Sequence, residues 1–386
     1  MASRTFTFTV APPPVADWPA QWLAANPLPG PAWNGRWTAD AVNMEVGGSS
    51  GLYETFPDED GKLTPVFNDG DGQHFDYDNG FLYDPETGLH TVGGGVGSSV
   101  AYGREAELKT WYFRFDPRIK RWAKRNNPVG QGTGHHYAEN AMDRVGRKYY
   151  RRFWQFDLDD WNADPVLLPN PPGWGGGGSA QTKCFHEHLG RLYAISDDTR
   201  HWYWTPTERN GRVGTWSAQQ SHGYDLGLHV TSAYHIGMQT MVFGGGNAPS
   251  SAFFRVGPTG VPERIDDIPA LIMPVHAGAG PAMILDCGLP DAFVILFDRD
   301  DTPPSAPWNT IWLLRPYAPT GQQWVQSVDS LPPYLLSWSG FRTSNAVGIP
   351  HLGLVMYLRA RQGAGATDPD LKQRHSSVYF YKPSGA

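Results

Sequence analysis

The sequence predicts an all-β protein in which six short antiparallel sheets form a closed ring sealed by a strand from the amino-terminal end. Three observations predict it. Turn formers are abundant, with 45 Gly and 34 Pro among 386 residues. Aromatic residues reach 13% while charged residues reach only 18%. A strand–turn–strand pattern recurs six times along most of the chain. Aromatic richness excludes a disordered chain, and the dominance of turn formers over Ala, Glu, Lys and Leu excludes a long coiled coil.

The elements follow in chain order. Arg4 to Val10 (RTFTFTV) alternates polar and apolar residues, so residues 1–10 are expected to supply the closing strand beside Ser376 to Tyr381. Residues 11–71 read as a proline-rich wrap or a degenerate seventh sheet; Pro19 limits the helix candidate Ala16 to Ala25 to one or two turns. The repeats occupy residues 72–386. The clearest copy starts at Asp76, turns at Asp84-Pro85-Glu86-Thr87-Gly88, and continues through TWYFRFDPRIKRW to Trp122. Pro fixes φ in such a turn and Gly supplies the positive φ. Matched turn landmarks in the six copies are Asp84, Asp143, His186, His235, Asp286 and Ile349. They recur every ~50 residues, the period of kelch-type blades.

The copies resemble the kelch-like β-propeller of the galactose-oxidase central-domain type. Gly93-Gly94-Gly95 and Gly244-Gly245-Gly246 close second strands, Phe115-Asp116-Pro117 opens a turn, and Trp122, Trp216 and Trp324 close copies. The likeness runs from Gly72 to Pro383; the second and third copies lack the glycine triplet. It implies a six-bladed kelch-like propeller, with seven blades if residues 11–71 form one. It says little about activity, because propellers carry many functions.

Bulk properties narrow the function. A net charge of −7 and a pI near 6.0 argue against nucleic-acid binding. The basic stretch Arg114 to Arg125 reads as a hairpin face. No run reaches the ~18 apolar residues of a membrane helix, and the amino terminus shows no apolar leader, so a product made in the cytoplasm without membrane insertion is expected. Cys184 and Cys287 form neither a zinc signature nor a disulfide framework; two buried thiols are favoured over a single bridge.

Four groups of residues are candidate sites. Trp174, in NPPGWGGGGS, together with Trp202, Tyr203 and Trp204, is the leading candidate for contact with a sugar or a partner protein. His74, His135, His136, His229 and His276 recur near the first strand of several copies and are candidates to line the axial channel; bonding to nearby carbonyls is the competing reading. Asp69, Asp71, Asp76 and Asp78 are a candidate calcium site, weighed against their ordinary use in turns. The family's copper oxidases use Tyr, Cys and His groups, which draws attention to Cys184, His186 and His188; the alignment of His186 with Asp84 favours a structural turn instead. No nucleophile elbow, phosphate loop or metalloprotease motif is present, and no cofactor is expected other than calcium.

These readings lead to the expectation of a non-enzymatic module. The proline-rich wrap and missing catalytic constellation resemble propeller proteins of bacteriophage tails. That resemblance implies a virion component contacting other copies, tail proteins or a host-surface glycan. The alternatives are a carbohydrate-active or copper-oxidase-like enzyme with an axial site, and a cytoplasmic kelch-like interaction scaffold.

Overall fold

The computed structural model describes residues 36–37, 55–57, 63–65, 82–92, 111–116, 121–126, 139–175, 181–196, 198–227, 230–245, 250–270, 272, 283–296, 310–330, 344–360 and 376–384. Among these the chain is almost wholly strand and turn, with one 3₁₀ turn at Pro350–Leu352.

The first strands are β1 (Arg36–Trp37), β2 (Thr55–Pro57) and β3 (Leu63–Pro65). β2 and β3 pair as a hairpin. Six larger sheets follow. The first holds β4 (Leu82–Asp84), β5 (Gly88–Val92), β6 (Trp111–Asp116) and β7 (Arg121–Asn126). The second holds β8 (Asn140–Asp143), β9 (Lys148–Arg151), β10 (Trp154–Asp157) and β11 (Val166–Leu167). The third holds β12 (Thr182–His186), β13 (Arg191–Ile195), β14 (Arg200–Pro206), β15 (Gly214–Trp216) and β16 (Gln220–Ser221), the last two sharing the edge of β14. The fourth is β17 (Thr231–His235), β18 (Thr240–Gly244), β19 (Phe253–Val256) and β20 (Pro262–Ile265). The fifth is β21 (Met283–Leu285), β22 (Phe293–Leu296), β23 (Thr310–Leu314) and β24 (Trp324–Ser330). The sixth is β25 (Ser344–Ile349), β26 (Leu354–Ala360) and β27 (Ser376–Lys382), completed by β1.

Each sheet is an antiparallel meander, and the first strands meet in cyclic order. β4 lies against β8, β8 against β12, β12 against β17, β17 against β21, β21 against β25, and β25 against β4. The ring therefore closes on itself, and the chain is a β-propeller with six blades among the described residues. The basic stretch is the β6–β7 hairpin, as expected.

Closure uses a strand from early in the chain. Arg36 pairs with Lys382 and Trp37 with Tyr381. The expected closing strand, Arg4 to Val10, lies outside the described residues, as does the helix candidate; the edge of β27 is held by β1. Within 11–71 the described residues are those of β1 and the β2–β3 hairpin; the rest of the segment read as a wrap or seventh blade lies outside them.

The landmarks explain the repeated turn. Each of the six sits at the end of a first strand or one residue beyond it. Four positions later the backbone is left-handed in five copies, at Gly88, Arg147, Gly190, Gln239 and Gly353. Asp84 fastens its own turn by accepting Thr87 N at 2.8 Å, and Asp143 does the same with Gly146 N at 2.9 Å.

The core is a set of wedges between neighbouring blades. Blades 2 and 3 enclose Tyr150, Phe153, Phe185, Leu192 and Trp204. Blades 4 and 5 enclose Val242, Phe253, Ile265, Phe293 and Ile295. A four-stranded sheet alone would leave both faces wet, so burial depends on its neighbours. Each such side chain contributes roughly 1.5–3 kcal/mol on leaving water. Gly244 shows the expected close approach: a Cβ there would lie 2.3 Å from Ala252 O.

Candidate functional site

The first strands run from one face of the disc to the other. Their carboxyl-terminal ends converge around the axis on the face that carries the first hairpin turn of every blade. The third-to-fourth-strand turns lie on the same face, because the sheets are meanders.

Two shells of polar contacts are built there. The outer shell uses the landmarks as clamps onto the next blade. Asp84 takes Arg147 Nη1 at 2.7 Å and Nη2 at 3.0 Å. Asp143 takes Arg209 Nε and Nη2, each at 2.8 Å. His186 Nε2 reaches Val256 O at 3.1 Å, and His235 Nε2 reaches Leu289 O at 2.8 Å. Burial by itself would raise the Asp84 carboxyl, but Arg147 and Thr87 outweigh it and hold the group below the ordinary carboxylate value. Burial pushes His186 down to about 4, so it serves as a neutral structural donor.

The inner shell circles the channel mouth with one link between each pair of neighbours. Arg144, just past β8, donates through Nε to Tyr83 O of blade 1 at 3.0 Å and through Nη1 to Glu187 of blade 3 at 2.5 Å. His188 N donates to Tyr234 OH of blade 4 at 3.1 Å. Ile236 N donates to Asp286 Oδ2 of blade 5 at 2.8 Å. Gly348 of blade 6 packs so closely on Asp286 that a Cβ would lie 1.8 Å from its carbonyl oxygen. His351 stacks on Tyr83, ring centroids 5.7 Å apart, and completes the circle. Asp286 also acts electrostatically on Arg144 from across the ring. Burial opposes the Arg144 charge, and Glu187 together with the two aspartates more than restores it. The axial end of the ring thus carries a guanidinium paired with a largely covered carboxylate, a second largely covered carboxylate at Asp286, and two exposed imidazoles, His188 and His351.

The residues expected to form sites fall differently. Trp202 and Trp204 are buried, at 0% and 2% exposure, and so are packing residues rather than surface contacts. Trp202 Nε1 donates to Pro172 O at 2.9 Å, which anchors the proline-rich loop. Trp174 is partly buried by that anchor: its ring meets Phe153 at 5.2 Å and Trp202 at 5.1 Å, edge to face. Tyr203 is partly exposed beneath the Arg191 guanidinium at 4.4 Å. His74, His135, His136, His229 and His276 lie outside the described residues, as do Asp69, Asp71, Asp76 and Asp78.

Cys184 and Cys287 are separate buried thiols without a bridge. Burial raises both, Cys287 to about 12. Cys184, His186 and His188 do not converge: the two imidazoles are 6.5 Å apart, and one is committed to Val256 O. Among the described residues no group of three or more His, Cys, Asp or Glu side chains is placed to hold a metal.

Sequence reasoning did not single out Arg144, Glu187, Tyr234 or His351. The signal was the repeat alignment itself, since Arg144 and Glu187 both stand one position after a landmark and carry opposite charges.

No family model matches the chain, and no curated protein matches it. Among solved structures it is similar to a streptogramin B lyase, at 11% identity and a TM-score of 0.43 over 80% of this chain and 83% of that one. It is also similar to a chain of the mitotic checkpoint complex, at 9% identity and 0.45 over 99% of each. A third likeness is to U3-55K, at 10% and 0.42 over 76% of this chain and 91% of that one. Such distant likenesses carry no functional argument.

Proposed function

We propose that the chain is a rigid, non-enzymatic binding disc that docks other proteins through its turn face. The observation that supports this is a set of exposed apolar side chains on that face. Val145, Val213, Val261 and Tyr317 stand at 67%, 71%, 60% and 49% exposure in the hairpin turns of blades 2 to 5, with Ile236 beside the mouth. Scattered single apolar residues are ordinary on a surface; five in the turns of one face are the composition of a contact surface. The clamps beneath them hold the turns rigid, which lowers the ordering cost of binding.

In its finer form the reading is a particle component, present in several copies, that contacts neighbouring virion proteins or a host-surface glycan. Mass spectrometry and electron microscopy of particles purified from the source test it. The disc is expected with its turn face covered, and Val213→Asp with Val261→Asp should abolish incorporation while leaving the melting temperature within a few degrees. A chain missing from such particles would end the virion version.

The charged belt at the channel mouth favours one other reading, a carbohydrate-active enzyme with an axial site. Turnover of sugars by the purified chain, lost in Glu187→Gln, would move the assignment there.

A further inference from the structure

A pair of histidines lies apart from both the mouth and the turn face. His201 sits on β14 and His222 just beyond β16, where these strands meet at the edge of blade 3. Their rings are 5.8 Å apart. They are almost wholly buried, at 2% and 8% exposure. His222 meets Phe243 and Phe254 of blade 4 edge to face at 5.5 and 5.3 Å. Leu226 and Val230 belong to the same apolar wedge. None of the four ring nitrogens has a hydrogen-bond partner of good geometry. The imidazoles therefore sit in the apolar seam between two blades, with the Gln220 side chain near His201 and the backbone of Tyr224 and Asp198 near His222 as their polar neighbours.

We propose that this seam is an acid-sensitive latch, opened when the His201–His222 pair takes up protons.

The chemistry follows from placement. A neutral imidazole packs in an aromatic wedge at modest cost. A charged one does not, and two charges this close repel each other in a medium that screens poorly. Burial pushes His201 down to about 4, with His222 adding to the shift and Gln220 opposing it. Burial lowers His222 as well, opposed by the backbone of Tyr224 and by Asp198. Asp198 is the one carboxylate among the described residues that acts on the pair, and it is engaged by Arg200 at 2.5 Å. On the blade 4 side Arg264 lies over Tyr224 at 3.9 Å and pairs with Asp267. Phe243 and Phe254 offer no counter-charge. An opened seam would return both imidazoles to water and to their ordinary affinity for protons, so acid favours the open form.

Amide hydrogen exchange of the full chain at pH 7.5 and 5.5, corrected for intrinsic rates, tests the latch. The opening constant of β14, β16, β18 and β19 should rise about tenfold through His201 and further through His222, while blade 5 stays unchanged. The His201→Gln, His222→Gln double variant should lose that rise. An equal rise in the variant, or none in the parent chain, overturns the proposal. Should the double variant not fold, the imidazole proton resonances of the parent chain decide: both rings neutral at pH 5.5 supports the latch, and titration near 6.5 in the folded protein overturns it.

Discussion

The Arg209 guanidinium of blade 3 closes on the Asp143 carboxylate of blade 2 through two nitrogens at 2.8 Å, beneath the turn that joins β8 to β9. Asp143 is fully buried and Arg209 is 29% exposed on its side chain. Removing the carboxylate strands a cation at the seam, though Glu187 O still accepts Arg209 Nη2 at 2.7 Å. Asp143→Ala is therefore expected to cost about 2–3 kcal/mol by chemical denaturation, below the full range for a broken buried pair. An Asp143→Asn, Arg209→Gln cycle should show coupling of about 1 kcal/mol or more.

The Asp84–Arg147 clamp gives stability a dependence on acid. The native carboxyl titrates below the 3.8 that the unfolded chain regains. The unfolded state thus takes up its proton first as pH falls, and the stabilisation present at neutral pH disappears through and below that range. Melting temperatures from pH 5 to 2.5 should fall less steeply in Asp84→Asn than in the parent chain. The variant should start about 2–3 kcal/mol less stable at pH 7. Parallel curves would contradict the clamp.

Close approach between blades 5 and 6 predicts a sharp contrast between two glycines. A Cβ at Gly348 would lie 1.8 Å from Asp286 O, whereas one at Gly175 would meet nothing within 4 Å. Gly348→Ala should cost at least about 2 kcal/mol, since fixed backbone must move. Gly175→Ala should change stability by less than about 0.5 kcal/mol.

Trp174 should report as a packing residue. Trp174→Ala is expected to lower stability by about 2 kcal/mol, less than the loss of a fully buried tryptophan, because its ring is only partly covered. Trp202→Phe, which leaves Pro172 O without its donor, should cost about 1 kcal/mol or more.

The two thiols should be silent in the folded chain. Both are buried, and burial raises each thiol well away from the reactive thiolate. An aromatic disulfide reagent should release no chromophore from native protein at pH 8, and two equivalents after denaturation.

The architecture was legible in the sequence because four of the six landmarks do the same physical job. Asp84, Asp143, His186 and His235 end a first strand and reach the next blade, so type and spacing repeat even where the rest of the copy drifts. Gly244 was legible for a similar reason, since only a missing side chain admits Ala252 O so closely. The belt at the mouth was not. Arg144 and Glu187 meet only when blade 2 packs on blade 3, and a linear repeat carries no record of which side chains face each other across that seam. Trp174 misled in the opposite way: prolines and glycines around it read as a loose loop, but Pro172 O is pinned by a tryptophan 30 residues away.

The pairing of Trp37 with Tyr381 has a consequence for synthesis. The ribosome releases the first member roughly 340 residues before the second, so β1 has no partner until β27 has been made. A nascent chain therefore holds an unsealed arc with two raw edges, vulnerable to pairing with its neighbours on the polysome. Chaperone demand should persist until β27 has emerged and the ring can shut.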